Sequence, residues 1–359
     1  LAGYRIPFFE MLSERLAGGL SLFSGESRPD EMIEASHEPR FINLIHAYNL
    51  HLFSGKYYLC WQTGILQWLQ SLQPDVLILE ANPRYLSQGP AVNWMHQQKR
   101  PVIGWGLGAP SAGGFMSPLR QYFRNRFISQ FDALITYSQA GAASYRAAGV
   151  PAHRIFVACN AVAARPVSAC PQRPDFYPDS RPVVLFVGRL QARKRVDYLI
   201  RACAALPDPS CPRLWIVGDG PEKESLQKLA AEIYPQSEFF GARFGSELTD
   251  LFKAADLFVL PGTGGLALQE AMSFGLPVIA AEADGTQADL VRPSNGWVTP
   301  PGNQAALNML LTDALSDVVR LRLMGQESYR IVSEEINLEN MVEVFYQAIQ
   351  YALKSGRDQ

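Results

Sequence analysis

Hydrophobic positions along the chain fall into short apolar runs that alternate with longer stretches in which apolar residues recur every three or four positions. The runs at 20–24, 41–47, 75–80, 101–105, 133–137 and 154–158 read as strands, and 57–72 and 138–148 read as helices. A second series follows further on. It has strands at 183–187, 213–217, 237–240, 257–260 and 277–280, and helices at 196–206, 221–233 and 266–274. The tail, 337–353, has the pattern of one more amphipathic helix. Strand–helix alternation of this kind predicts an α/β protein with parallel sheets covered by helices on both faces.

The two series are separated by 163–182, with prolines at 166, 171, 174, 178 and 182. Proline at that density stops helices and central strands, so the stretch reads as a linker. Two doubly wound units joined by a linker predict a two-lobed protein, with a cleft between the carboxyl ends of both sheets where ligands of open α/β sheets bind.

Length and composition agree with two cores. The 359 residues fit two domains, and 48% hydrophobic with 18% charged residues excludes a disordered chain. A net charge of −2 argues against a global grip on nucleic acid. The charge is uneven, net +4 over 1–165 and −6 over the remainder, and 81–131 holds six bases and no acid. Five cysteines (60, 159, 170, 203 and 211) without CxxC spacing read as free thiols in a reducing compartment rather than a disulfide or zinc framework. The sequence shows no membrane span and no signal peptide, which predicts a cytoplasmic protein.

Three stretches carry candidate chemistry. In VVLFVGRLQARKR, a buried strand ends at Gly188 and a basic loop follows. Arg189 and Lys194 then stand at the carboxyl end of a parallel strand, where a planar fork of donors and a compact charge suit a diphosphate. A solvated basic loop is the plainer alternative. In LWIVGDGPE, a strand runs into a Gly-Asp-Gly turn and a helix start; it is not a GxGxxG fingerprint and reads first as a structural turn. In ADLFVLPGTGGLALQEAMSFGLPVIA, the loop of Gly262, Thr263, Gly264 and Gly265 precedes a helix that begins near Leu266. The free amides of such a helix end form an anion site. Glu270, one turn further on the same face, suits hydrogen bonds from sugar hydroxyls; the alternative is an ion pair with a nearby Lys or Arg.

These stretches, in this order, resemble the donor-binding lobe of retaining GT-B glycosyltransferases of the glycogen-synthase-like type (glycosyltransferase family 4, glycosyl transferases group 1). The pieces are VGRLQARKRVDYLIRA, IVGDGPEKESL, FFGARFGSELTDLFKAADLFVLP, QEAMSFGLPVIA and DGTQADLVRPSNGWVTPPGN, with looser matches in YRIPFFEMLSERL, LILEANPRYLS and ITYSQAGAASYRAAGVPAHRIFVACNAV. The resemblance implies a GT-B fold: an acceptor domain of 1–164 completed by a returning helix at 337–359, a linker of 165–182, and a donor domain of 183–336. It implies that Arg189 and Lys194 hold the donor diphosphate and that Glu270, the second glutamate of a Glu-x7-Glu motif, bonds the ribose. Gly188, Thr263, Gly264, Gly265 and Leu266 lie near the phosphates, and Arg243 and Phe244 flank the nucleobase. It implies a nucleotide-diphosphate sugar as co-substrate, a UDP-sugar first, with a sugar or small-molecule acceptor, and no metal or other cofactor.

The chain departs from that pattern on the sugar side. Gly262 stands where the first glutamate belongs, and Leu107 in GWGLGAP stands where relatives often place a histidine. Relatives also begin with a strand and a Gly-rich loop. Here only Leu1-Ala2-Gly3 precede Tyr4, which predicts either residues ahead of Leu1 or a sheet with unpaired edges. The expected function is metal-independent hexosyl or deoxyhexosyl transfer with retention. The alternatives are a catalytically weakened nucleotide-binding partner subunit and a nucleotide-sugar epimerase. Glu80, at a strand end, is expected to orient the acceptor or to pair with Arg84. In 117–131, Leu119, Phe123, Phe127 and Phe131 form one apolar stripe, with Arg120, Arg124 and Arg126 off it. That reads as a core-packed helix, or alternatively as peripheral contact with an anionic membrane.

Overall fold

The structure, a computed structural model, describes residues 3–26, 42–109, 117–177, 181–207, 211–264, 266–283 and 285–357. The chain divides into two compact units, Leu1–Val162 with Leu338–Gln359, and Ala163–Asn337.

The first unit contains strands β1 (Ser21–Gly25), β2 (Asn43–Ala47), β3 (Asn49–Leu52), β4 (Leu59–Gln62), β5 (Leu77–Glu80), β6 (Val102–Gly106), β7 (Ala133–Thr136) and β8 (Ile155–Val157). A parallel sheet runs β5-β6-β7-β8, β1 pairs parallel with β2, and β3 pairs antiparallel with β4. The tail helix, Leu338–Arg357, packs here against helix Ile6–Arg15 and strands β6 to β8. Its Met341, Val342, Phe345, Ile349 and Ala352 share a core with Phe8 and Leu12. The Phe8 and Phe345 rings meet edge to face at 4.8 Å.

Strand β4 corrects the expected helix over 57–72. Residues 59–62 pair with β3, and the helix is only Ile65–Leu72, because Gly64 turns the chain with φ +81° just ahead of it. The stripe of 117–131 is also corrected. Helix Ser117–Ile128 buries Ile128, and Phe131 beyond it is buried with Phe127 packed alongside, but Phe123 is 60% exposed against Tyr122. The side chains of Leu119 and Arg120 lie outside the described residues. Among the described residues β1 pairs only with β2 and β5 only with β6. Both strands line one cavity of about 1660 Å³ in this unit.

The second unit is one parallel sheet of β9 (Val183–Val187), β10 (Arg213–Val217), β11 (Ser237–Gly241), β12 (Leu257–Leu260), β13 (Val278–Ala281) and β14 (Gly296–Thr299). Its order is β11-β10-β9-β12-β13-β14. Strands β12 and β13 are buried at every position, as apolar runs covered on both faces should be. The order reverses direction between β9 and β12, so the carboxyl ends of those two strands mark the switch point of a doubly wound sheet.

The proline-rich stretch expected as a linker over 165–182 is bound into this unit. Arg173 donates to the carbonyls of Phe252, Ala255, Phe274 and Gly275. Close by, Arg322 pairs with Asp256 at 2.7 Å with both side chains more than nine-tenths buried, and it also donates to the Pro174 carbonyl. Asp256 in turn accepts from the Val183 amide at 2.7 Å, at the start of β9. Removing one partner of such a pair leaves an uncompensated buried charge. Asp256→Ala is therefore expected to lower unfolding free energy by about 3–5 kcal/mol, whereas Asp313→Ala, which breaks the exposed pair with Arg320, costs below about 1 kcal/mol. Denaturant unfolding of the two variants measures the contrast.

Candidate functional site

The second unit brings together three of the stretches singled out by sequence. Strand β9 ends in Gly188, and the loop behind it carries Arg189 and Lys194. Strand β12 ends at Leu260 and leads through Gly262, Thr263 and Gly264 to helix Leu266–Ser273. The Gly-Asp-Gly turn after β10 closes on the same place. All three loops leave the carboxyl edge at the switch point.

They are in direct backbone contact. A Cβ on Gly218 would lie 1.9 Å from the Gly188 carbonyl oxygen. Leu190 donates to the Asp219 carbonyl at 2.9 Å, and Glu222 donates to the Leu190 carbonyl at 3.0 Å. On the opposite side, the Thr263 amide donates to the Arg193 carbonyl at 3.0 Å. A Cβ on Gly262 would lie 2.2 Å from that oxygen and 2.5 Å from the Lys194 carbonyl carbon. The position of the absent first glutamate is thus occupied by backbone, and no side chain fits there without moving the loop. The Gly-Asp-Gly turn serves as a structural brace, as its sequence suggested.

The charged groups are arranged around this brace. Arg189 is exposed, and neither it nor Lys194 has an ion pair among the described residues. Lys194 closes the short turn Ala192–Lys194, whose end is fixed by Arg195 in the left-handed region (φ +54°). The Arg195 guanidinium donates to the Tyr198 hydroxyl at 2.9 Å and lies 4.4 Å from the centre of that ring. Burial, reinforced by the Arg193 charge, pushes the Lys194 ammonium down to about 8. Burial also pushes the Glu270 carboxyl upward. Among the described residues no side chain pairs with Glu270, so the ion-pair alternative is not what the fold uses. The neighbouring Gln269 is tied into the core through the Ile336 carbonyl. A helix start, two unpaired cations and an unpaired carboxylate one turn along can bind an oxyanion beside a hydroxyl-bearing group.

The other expected positions fare differently. Phe244 is 78% exposed ahead of helix Gly245–Ala254, and Arg243 pairs with Glu247 at 3.4 Å. Gly265 lies outside the described residues, as does the side chain of Leu266. In the first unit, Glu80 ends β5 and accepts from Asn82 at 3.1 Å. Leu107 follows β6 with half of its surface exposed. Sequence reasoning missed the Arg193 carbonyl and the Arg195–Tyr198 clamp. The signal was two Gly-x-Gly turns, one directly after β10 and one after β12 and Pro261, beside a loop too basic to be buried for its own sake.

Residues 172–330 match the family Glycosyl transferases group 1. A GDP-mannose-dependent alpha-mannosyltransferase of Mycobacterium tuberculosis is 39% identical over 149 residues, which is 40% of this chain and 36% of that protein. Sulfoquinovosyl transferase SQD2 of Arabidopsis thaliana is 40% identical over 108 residues, 29% of this chain and 20% of that protein. The chain thus spans well under two thirds of these relatives. Among solved structures, sucrose-phosphate synthase from Thermosynechococcus elongatus aligns with a TM-score of 0.67 at 19% identity, over 97% of this chain and 93% of that one. Anabaena HepE in complex with UDP aligns with a TM-score of 0.60 at 19% identity, over 80% and 81%. These likenesses show the GT-B fold.

The depressed Lys194 gives a pH dependence with a definite sign. The protonated amine attracts an oxyanion, and a nucleoside diphosphate has lost its last phosphate proton above about pH 7. Its affinity should therefore be flat from about pH 7 to about pH 8 and then fall by up to about tenfold per pH unit, the limit for one proton. Calorimetric titrations across that range, with Lys194→Met as the pH-insensitive control, measure it.

Proposed function

Because residues 172–330 match the group 1 glycosyltransferases, we propose that this protein transfers a sugar from a nucleoside diphosphate sugar to an acceptor hydroxyl, with retention at the anomeric carbon and without a metal. The observation that supports this reading best is the placement, at the switch point of the doubly wound sheet, of the loop that carries Arg189 and Lys194, with the Lys194 ammonium against Gly264 just ahead of helix Leu266–Ser273. Charge building on a departing diphosphate is stabilised there by groups already in place, which is electrostatic catalysis. Glu270 accepts hydrogen bonds from the ribose hydroxyls. With glycine at 262, no carboxylate of that loop stands as a nucleophile. The acceptor hydroxyl then attacks the face the diphosphate leaves, and a donor phosphate oxygen takes its proton.

The nucleobase is read from the relatives. The mannosyltransferase is GDP-mannose-dependent and far more similar in sequence than HepE, which was solved with UDP. A guanosine donor is accordingly the reading to test first, with the uridine donor expected from the sequence as the second arm. For the acceptor side, the acid-free stretch and the exposed Tyr122 and Phe123 support peripheral contact of a cytoplasmic protein with anionic lipid.

Turnover of a panel of GDP- and UDP-sugars should give donor-dependent release of one nucleoside diphosphate. Binding without release, with or without acceptor, contradicts transferase activity and favours a partner subunit. Sugar isomerisation without acceptor favours an epimerase. Replacing Arg189 or Lys194 by Ala should weaken nucleotide binding by about 10- to 150-fold each, from about 1.5–3 kcal/mol per charge-assisted bond.

A further inference from the structure

In the loop after β12, Gly262 and Gly264 flank Lys194 from two directions. At Gly262 the φ is ordinary, and it is space that forbids a side chain. A Cβ would meet the Arg193 oxygen at 2.2 Å, the Lys194 carbonyl carbon at 2.5 Å and its Cα at 2.7 Å. Contacts under 3.0 Å are not found for real Cβ atoms, and these atoms are backbone, so the loop itself would have to shift. Gly264 sits at φ +125°, and a Cβ there would lie 2.2 Å from the Lys194 Nζ. The main chain of Lys194 thus rests on Gly262 while its ammonium rests on Gly264, and the Thr263 amide between them holds the Arg193 carbonyl. Behind the loop, Gly218 packs against the Gly188 carbonyl, and the Arg195 guanidinium donates to the Tyr198 hydroxyl.

We propose that Gly262 and Gly264 are positioning residues: a two-glycine notch that seats Lys194 and fixes its ammonium, partly stripped of water, at the mouth of the Gly-rich loop. This rests on the reading of Lys194 as a diphosphate ligand, and it changes the meaning of Gly262. The missing carboxylate is not a lesion awaiting repair. The space it would need has been given to the cation's own backbone, so restoring glutamate moves the lysine instead of adding a contact. It also restricts the donor class, because the transferred sugar must be held without a carboxylate from position 262.

The test reads the lysine directly. In the wild-type protein, the rate of Lys194 acylation, followed by peptide mass spectrometry against pH, should show a midpoint near 8. In Gly262→Ala and in Gly264→Ala the midpoint should move up toward that of an ordinary lysine as the amine swings into water. Gly264→Ala meets only the flexible tip of Lys194, but φ +125° strains any side chain there, so circular dichroism and thermal unfolding first establish which variant is folded; if neither is, a wild-type midpoint at that of an ordinary lysine would by itself overturn the notch. Nucleoside diphosphate affinity should fall at least tenfold in each, and Gly262→Glu should bind more weakly than wild type. In a Lys194→Met background, Gly262→Ala should cost little further affinity, because the glycine acts through the lysine. An unchanged midpoint in the folded glycine variants, additive losses in the double variant, or tighter binding by Gly262→Glu would each overturn the notch. A wild-type protein with the low midpoint but no affinity for any nucleoside diphosphate would instead overturn the functional reading and leave the notch standing.

Discussion

The candidate site depends on main chain packed against main chain at the carboxyl edge of one parallel sheet. Where the strand order reverses between β9 and β12, three loops meet at distances that only glycine permits. The basic loop after β9 is held between the Gly-Asp-Gly turn on one side and the Gly262–Gly264 turn on the other. A lysine or arginine on a loose loop is a hydrated charge with little directional preference, and ordering it costs side-chain entropy when a ligand arrives. Here that cost is met during folding. The amine of Lys194 is held partly out of water with no counter-charge among the described residues, a state stabilised by an incoming oxyanion.

Burial of charge recurs in the same unit with the opposite outcome. Asp256 and Arg322 neutralise one another, and Arg173 is saturated by backbone carbonyls. Those groups fasten the proline-rich segment and the first strand of this unit. Lys194 and Glu270, both partly buried, have no charged partner among the described residues. That difference, rather than charge alone, separates a binding site from structural ion pairing.

Much of this was legible in the sequence because the relevant signals are local. The buried strands VVLFV and LFVL, the glycine and basic residues just after them, and the helix start near 266 fix both the sheet edge and its chemistry. What was not legible depends on distant packing. Residues 59–62 carry apolar residues at a spacing compatible with a helix, and only the partner strand at 49–52 decides for β structure. The stripe through Phe123 is periodic, yet that ring is 60% exposed, with the adjacent Tyr122 edge to face beside it. The prolines of 163–182 agree with the lack of helix and strand among its described residues, but they do not reveal that Arg173 anchors the segment. The absence of glutamate at 262 was visible, while its cause, an Arg193 carbonyl in the space a Cβ would need, is a contact between residues 69 positions apart (from 193 to 262) that no local pattern encodes.

The most direct test is a crystal structure of the protein with a bound nucleoside diphosphate. The account predicts the terminal phosphate within hydrogen-bond reach of the Lys194 Nζ and the Arg189 guanidinium, at the amide end of helix Leu266–Ser273, with the Glu270 carboxylate on the ribose. A diphosphate bound elsewhere on the molecule, or a Lys194 ammonium turned to solvent while the nucleotide is in place, would contradict it.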